Sequence, residues 1–335
     1  MPLTIVRNDI SKVKADAIVN SANKNPVCGG GAEYHIYEAA GHEALLAARE
    51  KVGPLEVAEV AVTPAFALDA NYIIHVVGPK WNDGESGEVL ALANCYRNAL
   101  NKALELGCES IAFPLISSGV FRFPKDSALK IALQAIGEFL QAHEMDVQLV
   151  VFDRKAFDVS EELCDDIRAY IDDNYVRERY SDARESICWN RISDSSVNFN
   201  RAEASHAICE LEEKSLEEML ATAGETFCGK LFSIIREKNL DDVEIYKRAN
   251  LDRKHFSKIR SNLHYRPTKK TALALAIALR LNLDETKDLL SRAELALSPS
   301  SKGDLIVSYF IAHQKYDIWE INSMLFKFGQ PTLGA

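Results

Sequence analysis

The sequence Ala17-Ile18-Val19-Asn20-Ser21-Ala22-Asn23, which Gly29-Gly30-Gly31 follows after a short gap, decides the fold of the N-terminal half of this chain. The aliphatic run Ala17–Val19 predicts a buried strand, and the glycines predict a loop beyond its carboxyl end. Glycine adopts positive φ without steric cost, so such a loop can bring backbone N–H groups against a ligand. The pattern is therefore typical of a main-chain site for a phosphate group.

A second loop of similar character follows the run Ile111-Ala112-Phe113-Pro114. It consists of Ser117-Ser118-Gly119-Val120-Phe121 and contains no lysine. Successive main-chain amides can bind an anion without one. Taken alone, this loop could be an ordinary turn between a strand and a helix. Two such loops at the carboxyl edge of one sheet favour a ligand that contains a diphosphate.

Strand and helix patterns alternate from residue 3 to about residue 175. The predicted strands are Leu3–Arg7, Ala17–Val19, Val57–Pro64, Tyr72–Val77, Ser110–Pro114 and Val147–Phe152. The predicted helices are Ala32–Ala40, His42–Lys51, Val89–Leu106 and Lys125–His143, with a closing helix from Glu161 to about Tyr175. This alternation predicts a largely parallel sheet with helices on both faces, which is an α/β domain with three layers, α/β/α.

The two loops, together with Tyr72-Ile73-Ile74-His75-Val76-Val77-Gly78-Pro79 between them, resemble the macrodomain family of ADP-ribose-binding and ADP-ribose-hydrolysing modules. The resemblance extends over roughly residues 3–175, and we expect a macrodomain at residues 1–178. It implies that the partner is ADP-ribose or an ADP-ribosylated protein or nucleic acid. The ligand-binding residues that it implies are Asp9, Ile10, Asn20, Asn23, Gly29, Gly30, Gly31, Ser117, Ser118, Gly119, Val120, Phe121, Arg122 and Phe152.

Polar and aromatic residues near the strand ends have distinct expected roles. In the family, an acid at the place of Asp9 accepts a hydrogen bond from adenine; from the residues alone, a turn or helix-capping aspartate is the alternative. The amide of Asn23 can both donate to and accept from a ribose diol, and it matches the family's contact to the distal ribose. Asn20 is expected to be buried and to tie the loop together. Phe152 would lie beside the adenine, although an apolar residue at a strand end can equally belong to the core.

The predicted catalytic residues are Asn23 and Glu33. In the hydrolytic branch of the family an aspartate follows the glycine run, whereas this chain has a glutamate there. A carboxylate at this place can act as a general base or stabilise an oxocarbenium-like centre. The extra methylene moves its oxygens by about 1 Å, which can reduce the rate on the order of 10²-fold. Tyr34 replaces a small residue, and Arg122, in place of a glycine, could bind the phosphates or crowd the distal ribose.

Two functions therefore stay open for the N-terminal domain. The first is hydrolysis of ADP-ribosyl linkages, as a mono-ADP-ribosyl hydrolase or in the processing of ADP-ribose esters. The second is a non-catalytic ADP-ribose reader or sensor that acts as a transcriptional regulator or as a protein-interaction adaptor.

The rest of the chain changes character. Residues 179–223 are polar and predict a linker with a short acidic helix at Glu210–Met219. Apolar residues at three- and four-residue spacing then predict an all-helical bundle at residues 224–335. Its predicted helices are Phe227–Lys238, Asp242–Ala249, Arg253–Asn262, Lys269–Leu281, Asp284–Arg292, Ser301–His313 and Ile318–Phe328. The expected caps or first-turn acids are Asp242, Asp252, Thr268, Asp284 and Ser300.

The segment from Asp242 to Arg260 predicts two helices joined by a tight turn. Over about residues 226–295 the chain resembles helix-turn-helix domains of the Cro/CI type (XRE-like), with Asn250 in the turn where a glycine is usual. Ten Lys and Arg residues against two acids lie between Glu244 and Arg280, which favours contact with duplex DNA. The alternative is a basic surface that binds a protein or the acidic linker. The predicted DNA contacts are Arg253, Lys254, His255, Ser257, Lys258, Arg260, Lys269 and Lys270.

Composition limits the class of protein. A chain of 335 residues with 47% hydrophobic residues suits two packed domains, and its net charge of −10 argues against general nucleic-acid binding. No run of eighteen apolar residues and no signal-peptide pattern is present, so we expect no membrane partner. The seven cysteines show no CxxC spacing and predict reduced thiols in a cytoplasmic protein, with Cys28 as a packing residue. No His/Cys cluster has metal-ligand spacing, so no metal and no other cofactor is predicted, and His75 is expected to be a core residue.

Overall fold

A six-stranded mixed sheet forms the centre of the N-terminal domain in the computed structural model, which describes residues 2–151, 166–171 and 225–334. The spatial order of the strands is β1-β6-β5-β2-β4-β3. All neighbouring strands are parallel except β3 and β4, which are antiparallel. The strands are β1 (Leu3–Arg7), β2 (Ala17–Ala22), β3 (Val60–Pro64), β4 (Tyr72–Val77), β5 (Ser110–Pro114) and β6 (Asp146–Val151).

Helices cover both faces of this sheet. They are α1 (Ala32–Ala40), α2 (His42–Val52), α3 (Glu88–Glu105) and α4 (Lys125–Ala142). Successive side chains of a strand point to opposite faces. Accordingly, Ile18 packs with Ile36 of α1 on one face, whereas Val19 packs with Leu92 of α3 on the other. The predicted three-layer α/β/α architecture is confirmed.

Strand boundaries differ from the prediction where pairing between strands decides them. β2 continues past Val19 to Ala22, because its last residues pair in register with His75, Val76 and Val77 of β4. Val57 forms only an isolated bridge to Val77, so β3 begins at Val60. Asn20, Ser21 and Ala22 are therefore part of β2, and the loop begins with Asn23.

The C-terminal domain is helical, as predicted. Its helices are α5 (Phe227–Glu237), α6 (Asp242–Arg248), α7 (Arg253–Ser261), α8 (Lys269–Ala278), α9 (Leu283–Ser291), α10 (Lys302–Ala312) and α11 (Ile318–Lys327). α8 is buried over most of its length and forms the centre of the bundle. Asp252 and Thr268 cap α7 and α8 as expected. The cap of α10 is Ser301 and not Ser300, because the Ser301 side chain accepts the hydrogen bond from the Asp304 N–H.

The helical stretch at residues 166–171 belongs to the core of the helical domain. Ile167 and Ile171 are buried in the cluster that α5–α11 form. The ring of Tyr170 lies edge-on to the ring of Tyr309, with 5.4 Å between the centroids. This differs from the expectation that a helix here closes the sheet domain. The predicted linker at 179–223 lies outside the described residues.

The helical domain also covers the edge strand β1. The Leu3 N–H donates to Asn250 Oδ1 at 2.8 Å, and Asn250 Nδ2 donates to the Leu3 carbonyl at 3.0 Å. Nearby, Lys247 Nζ donates to the Gln141 carbonyl at 2.5 Å and the Tyr246 hydroxyl donates to Glu144 at 2.9 Å. A side-chain amide thus takes the place of a neighbouring strand at an edge that would otherwise be open. Within the described residues, we find no helix long and apolar enough to cross a membrane.

Candidate functional site

A cleft of about 430 Å³ opens at the carboxyl ends of β1, β2, β5 and β6. The residues predicted for ligand binding or catalysis that line it are Asp9, Ile10, Asn23, Gly29, Gly30, Gly31, Glu33, Ser117, Ser118, Gly119, Val120 and Phe121. Both loops singled out in the sequence therefore face one cavity. This is the place where parallel α/β sheets usually bind ligands.

Among the described residues, two of those predicted for ligand binding are not part of this lining. Asn20 is fully buried and lies below the cleft, bonded to Glu33. Arg122 is exposed at the end of the second loop, where its N–H donates to the Gly119 carbonyl. Phe152 lies outside the described residues. Asn20 is therefore buried beneath the loop, as expected. Arg122 does not line the cleft.

The glycine loop is shaped by a close approach. A Cβ atom on Gly29 would lie 2.6 Å from Asn23 Nδ2 and 2.6 Å from Glu33 Oε2, so a larger residue cannot be accommodated without movement. Gly31 has φ +70° and precedes α1, whose first turn has no side-chain cap. The free N–H groups of that turn, together with the partial positive charge of the helix end, suit an anion.

The second loop contains a buried hydroxyl. Ser117 has φ +63°, is 5% exposed, and its Oγ has no hydrogen-bond partner within the described residues. Ser118 instead uses its own Oγ to hold the Leu115 carbonyl at 2.7 Å. A buried polar group without a partner in a cleft and a strained backbone are both features of ligand sites. The Ser117 Oγ faces Gly78, where a Cβ atom would lie only 2.1 Å from it, so the groups that the second loop offers to an anion are its main-chain amides.

Glu33 is buried beneath the glycine loop, with 4% of its surface exposed. Its Oε2 accepts from Asn23 Nδ2 at 2.7 Å and from the Gly29 N–H at 2.9 Å, while Oε1 accepts from Asn20 Nδ2 at 3.2 Å. Burial raises the pKa of Glu33, and these hydrogen bonds oppose the rise only in part. The carboxylate is therefore held in one orientation and is a stronger base than an exposed glutamate.

Asn23 connects this carboxylate to the ligand space. Its Nδ2 donates both to Glu33 and, at 3.4 Å, to the Val27 carbonyl. With both amide hydrogens engaged, the carbonyl Oδ1 is the atom left to accept a hydrogen bond from a ligand hydroxyl. The guanidinium of the buried Arg49 lies 3.4 Å from the Asn23 carbonyl and fixes the backbone from below.

Asp9 also lines the cleft and caps the short 3₁₀ turn Ile10–Lys12. Its Oδ1 accepts from Ser11 N at 3.0 Å and from Ser11 Oγ at 2.8 Å, and its Oδ2 lies 3.7 Å from His35 Nδ1. Burial alone would raise the pKa of Asp9, but the Ser11 hydrogen bonds and the His35 ring outweigh it, so the pKa is lowered. Asp9 is thus an ionised acceptor that both caps a turn and lines the cleft.

Several lining residues were not predicted from the sequence, among them His35, Lys125 and Ser21. Lys125 starts α4 directly after Pro124, so the helix start that was predicted at this place could have indicated it. His35 follows Glu33 by two positions, and its Nδ1 lies 3.7 Å from Asp9 Oδ2. Neither residue belongs to the family motif that guided the prediction.

Most of the predicted DNA contacts are exposed, and three of the eight have hydrogen-bond or ion-pair partners inside the helical domain. Arg253, Lys254, Ser257 and Lys258 are exposed on α7, as is Lys270 at the start of α8. His255 Nε2 lies 2.9 Å from the Tyr265 hydroxyl. Arg260 forms an ion pair with Asp242, and Lys269 forms one with the buried Asp304. The last three side chains therefore have partners inside the helical domain.

Comparison with known proteins agrees with the features of the cleft. The Macro domain family profile matches residues 19–132. A macro domain-containing protein of Chlorobaculum tepidum is 42% identical over 147 residues, which are 44% of this chain and 84% of that protein. A protein of Citrobacter rodentium named O-acetyl-ADP-ribose deacetylase is 39% identical over 156 residues, covering 45% of this chain and 88% of its own length. The chain belongs to the macrodomain family through its N-terminal domain.

Solved structures give similar matches. The Oceanobacillus iheyensis macrodomain with ADP is 40% identical, covers 47% of this chain and 87% of its own, and has a TM-score of 0.45. The Trypanosoma brucei macrodomain in complex with ADP-ribose is 29% identical, covers 48% of this chain and 68% of its own, and has a TM-score of 0.44.

Proposed function

We propose that the N-terminal domain binds ADP-ribose and hydrolyses ADP-ribosyl linkages, with ADP-ribose esters and mono-ADP-ribosylated macromolecules as its substrates. The observation that carries the proposal is the buried, hydrogen-bonded Glu33 beside Asn23 in a cleft that two anion-binding loops enclose. The relative named O-acetyl-ADP-ribose deacetylase, 39% identical over 156 residues, supports the choice of ester substrates.

The lining gives each part of ADP-ribose a partner of matching chemistry. Asp9, an ionised acceptor, suits the exocyclic amine of adenine. The main-chain amides of the two loops suit the diphosphate. The free Oδ1 of Asn23 suits a hydroxyl of the distal ribose, and this brings the scissile bond close to Glu33.

The chemistry then requires a base and a stabilised leaving group. Glu33, as carboxylate, takes a proton from a water molecule, and the resulting hydroxide attacks the ester carbonyl or the anomeric carbon. The bond to the leaving oxygen breaks, and the proton passes to that oxygen. A raised pKa brings Glu33 closer to the working pH and makes this exchange more efficient.

A reader without catalysis is the second candidate for the same cleft. One observation favours it, namely that both oxygens of Glu33 already accept hydrogen bonds, Oε2 from Asn23 and Gly29 and Oε1 from Asn20. Calorimetric titration with ADP-ribose, followed by turnover assays with O-acetyl-ADP-ribose and with mono-ADP-ribosylated protein, separates the two. Binding with turnover supports the hydrolase, and binding without turnover supports the reader.

Substitution of Asp9 tests how the cleft holds its ligand. Asp9→Ala should weaken ADP-ribose binding by about 1–3 kcal/mol, because it leaves a donor of the ligand unpaired in the bound state. Asp9→Asn retains an acceptor for Ser11, so it preserves the turn and isolates the contribution of the carboxylate. Asp69→Ala, which removes an exposed acid paired with Lys14, is the matched control. Unchanged calorimetric affinity in both Asp9 variants would remove adenine recognition from this residue.

For the helical domain we propose binding to duplex DNA through α7. The residues in favour are the exposed Arg253, Lys254, Ser257 and Lys258 on a helix, 253–261, that contains no acidic residue. Positive side chains on one helix face neutralise phosphates and release counterions. A protein partner for the same basic surface is the alternative, and the DNA measurement below decides between them.

The double variant Lys254→Ala/Lys258→Ala of the full chain should bind DNA more weakly, by roughly tenfold at low salt, and with a shallower salt dependence, because each lost phosphate contact reduces the counterions released. Mobility shifts with random and genomic duplexes at low and moderate salt are the measurement. Lys315→Ala removes an exposed lysine of the turn before α11 and is the control. If the unsubstituted chain gives no shift at low salt, the basic face serves a protein instead.

A further inference from the structure

A chain of buried polar side chains runs from Glu33 into the sheet. Asn20 Nδ2 lies 3.2 Å from Glu33 Oε1 and 3.1 Å from His75 Nδ1, and His75 Nε2 lies 2.9 Å from Thr63 Oγ1. None of the four residues is more than 4% exposed. Since buried polar groups need partners, each link of this chain supports the next.

Strand pairing places these residues beside one another. Asn20 of β2 lies directly opposite His75 of β4, and His75 lies opposite Ala61 of β3. Thr63 is two positions beyond Ala61 and so has its side chain on the same face of β3 as Ala61, which makes it a diagonal neighbour of His75. This series of buried polar side chains therefore spans three strands of the sheet and ends at the floor of the cleft.

The donor and acceptor chemistry determines where the protons are. Asn20 Nδ2 can only donate, so His75 Nδ1 must carry no proton and accept from it. The ring proton is then on Nε2 and is donated to Thr63 Oγ1. Burial, reinforced by the charge of Arg49, lowers the pKa of His75 to about 3, so the ring stays neutral. His75 is thus fixed in one tautomer.

The Glu33 carboxylate, which can only accept, and the unprotonated His75 Nδ1 together keep the Asn20 amide in this orientation. If the amide were reversed, its Oδ1 would meet two acceptors, the Glu33 carboxylate and the bare His75 Nδ1. Asn20 is therefore held with Nδ2 toward Glu33, even though its Oδ1 has no partner within the described residues. Oε2 of Glu33 is held by the loop, whereas Asn20 holds Oε1. The orientation of the carboxylate hence depends on His75.

We propose that His75 is a positioning residue for hydrolysis, acting through Asn20 to orient the Glu33 carboxylate. This inference rests on the proposed function, since it assigns His75 a part in the same reaction. His75 does not line the cleft, so it contacts neither ligand nor water there. Its effect passes only through the amide that it orients.

The variant His75→Phe should reduce kcat on an ADP-ribose ester by about 10- to 100-fold, with KM little changed, because it removes the acceptor that holds Asn20. If the Asn20 N–H no longer donates to Glu33 in this variant, the pKa of Glu33 also rises. Glu33 must be ionised to act as a base, so the acidic limb of the kcat profile moves to higher pH. His75→Gln offers both an amide oxygen and an amide N–H, and it should recover most of the lost rate.

A readout that needs no turnover makes the test independent of the proposed function. With ¹³C-labelled glutamate carboxyls, and with Glu33→Gln to assign the signal, the pKa of Glu33 should be higher by about one in His75→Phe than in the unsubstituted chain. Thr63→Val, a milder change at the far end, should move it in the same direction by less. Thr286→Val is the control, because Thr286 is equally buried but lies in the helical domain.

These measurements separate the two failures. If the unsubstituted protein shows no turnover but the Glu33 pKa is raised in His75→Phe, the hydrolase function is rejected. The positioning of Glu33 by His75 is then still supported. An unchanged Glu33 pKa in both His75→Phe and Thr63→Val overturns the positioning role, whatever the activity. If His75→Phe does not fold, the same comparison is made with Thr63→Val and His75→Gln, and no pKa difference in either overturns it as well.

Discussion

Glu33→Gln is expected to reduce turnover of an ADP-ribose ester by about 10²–10⁴-fold, since it removes the general base and keeps the size of the side chain. ADP-ribose affinity should stay the same, because the amide oxygen can still accept from Asn23 and Gly29. The measurement is a steady-state assay paired with calorimetric titration. Glu38→Gln, an exposed glutamate on the same helix, is the matched control.

The surroundings can accept the introduced amide without disrupting the loop. If its N–H₂ group faces Asn20, the Asn20 amide can reverse and accept with the Oδ1 that now lacks a partner. His75 then needs its proton on Nδ1, and Thr63 donates to Nε2 instead. All hydrogen bonds along this series of buried side chains can therefore reverse their direction together. We therefore expect a folded variant, and loss of activity would report the missing carboxylate.

The pH dependence of kcat in the unsubstituted protein is a second test of Glu33 as the general base. Its pKa is raised mainly by burial, and a base must be ionised to act, so kcat should rise with pH through a midpoint above the ordinary glutamate value of 4.5. If Glu33→Gln retains full turnover, Glu33 acts only as a clamp of the glycine loop. If no chain turns over either substrate while ADP-ribose still binds, the reader function is favoured.

Much of this cleft follows from local sequence patterns. The strand and helix boundaries lie within a few residues of the structure, because the apolar runs and caps that set them are local. The two loops follow the strands they were assigned to, and parallel strands bring their carboxyl ends to one edge. Glu33 was found because it occupies the place of a family motif.

The features that the sequence did not indicate depend on partners far away in the chain. β2 extends to Ala22 because β4 is its neighbour, which no property of residues 17–22 reveals. The ion pairs of Arg260 with Asp242 and of Lys269 with Asp304 likewise form only in the folded helical domain, and contact of either residue with DNA stays a prediction. His75 was correctly expected in the core, yet its link to Glu33 passes through Asn20 and needs the register of the sheet.

The contact between Asn250 and β1 is the most distant of these, since the two residues are 247 positions apart. Asn250→Ala should destabilise the chain by about 2–5 kcal/mol, because it leaves both the N–H and the carbonyl of Leu3 unpaired in a buried place. Asn250 also has φ +54°, which alanine tolerates poorly. Denaturant unfolding measures the loss, and hydrogen exchange of the β1 amides locates it.

A set of replacements separates the two contributions. Asn250→Gly loses the same hydrogen bonds but accepts the positive φ, so it should be more stable than Asn250→Ala by about 1 kcal/mol. Asn250→Asp keeps the acceptor for the Leu3 N–H and should therefore protect that amide from exchange while losing the bond to the carbonyl. Asn262→Ala, an exposed asparagine at the end of α7, is the control. Fast exchange in β1 of the unsubstituted chain, equal to that of Asn250→Ala, would mean that the helical domain does not rest on this edge in solution. The amide in the turn would then serve the helical domain alone, and DNA or protein binding by α7 would be independent of the macrodomain.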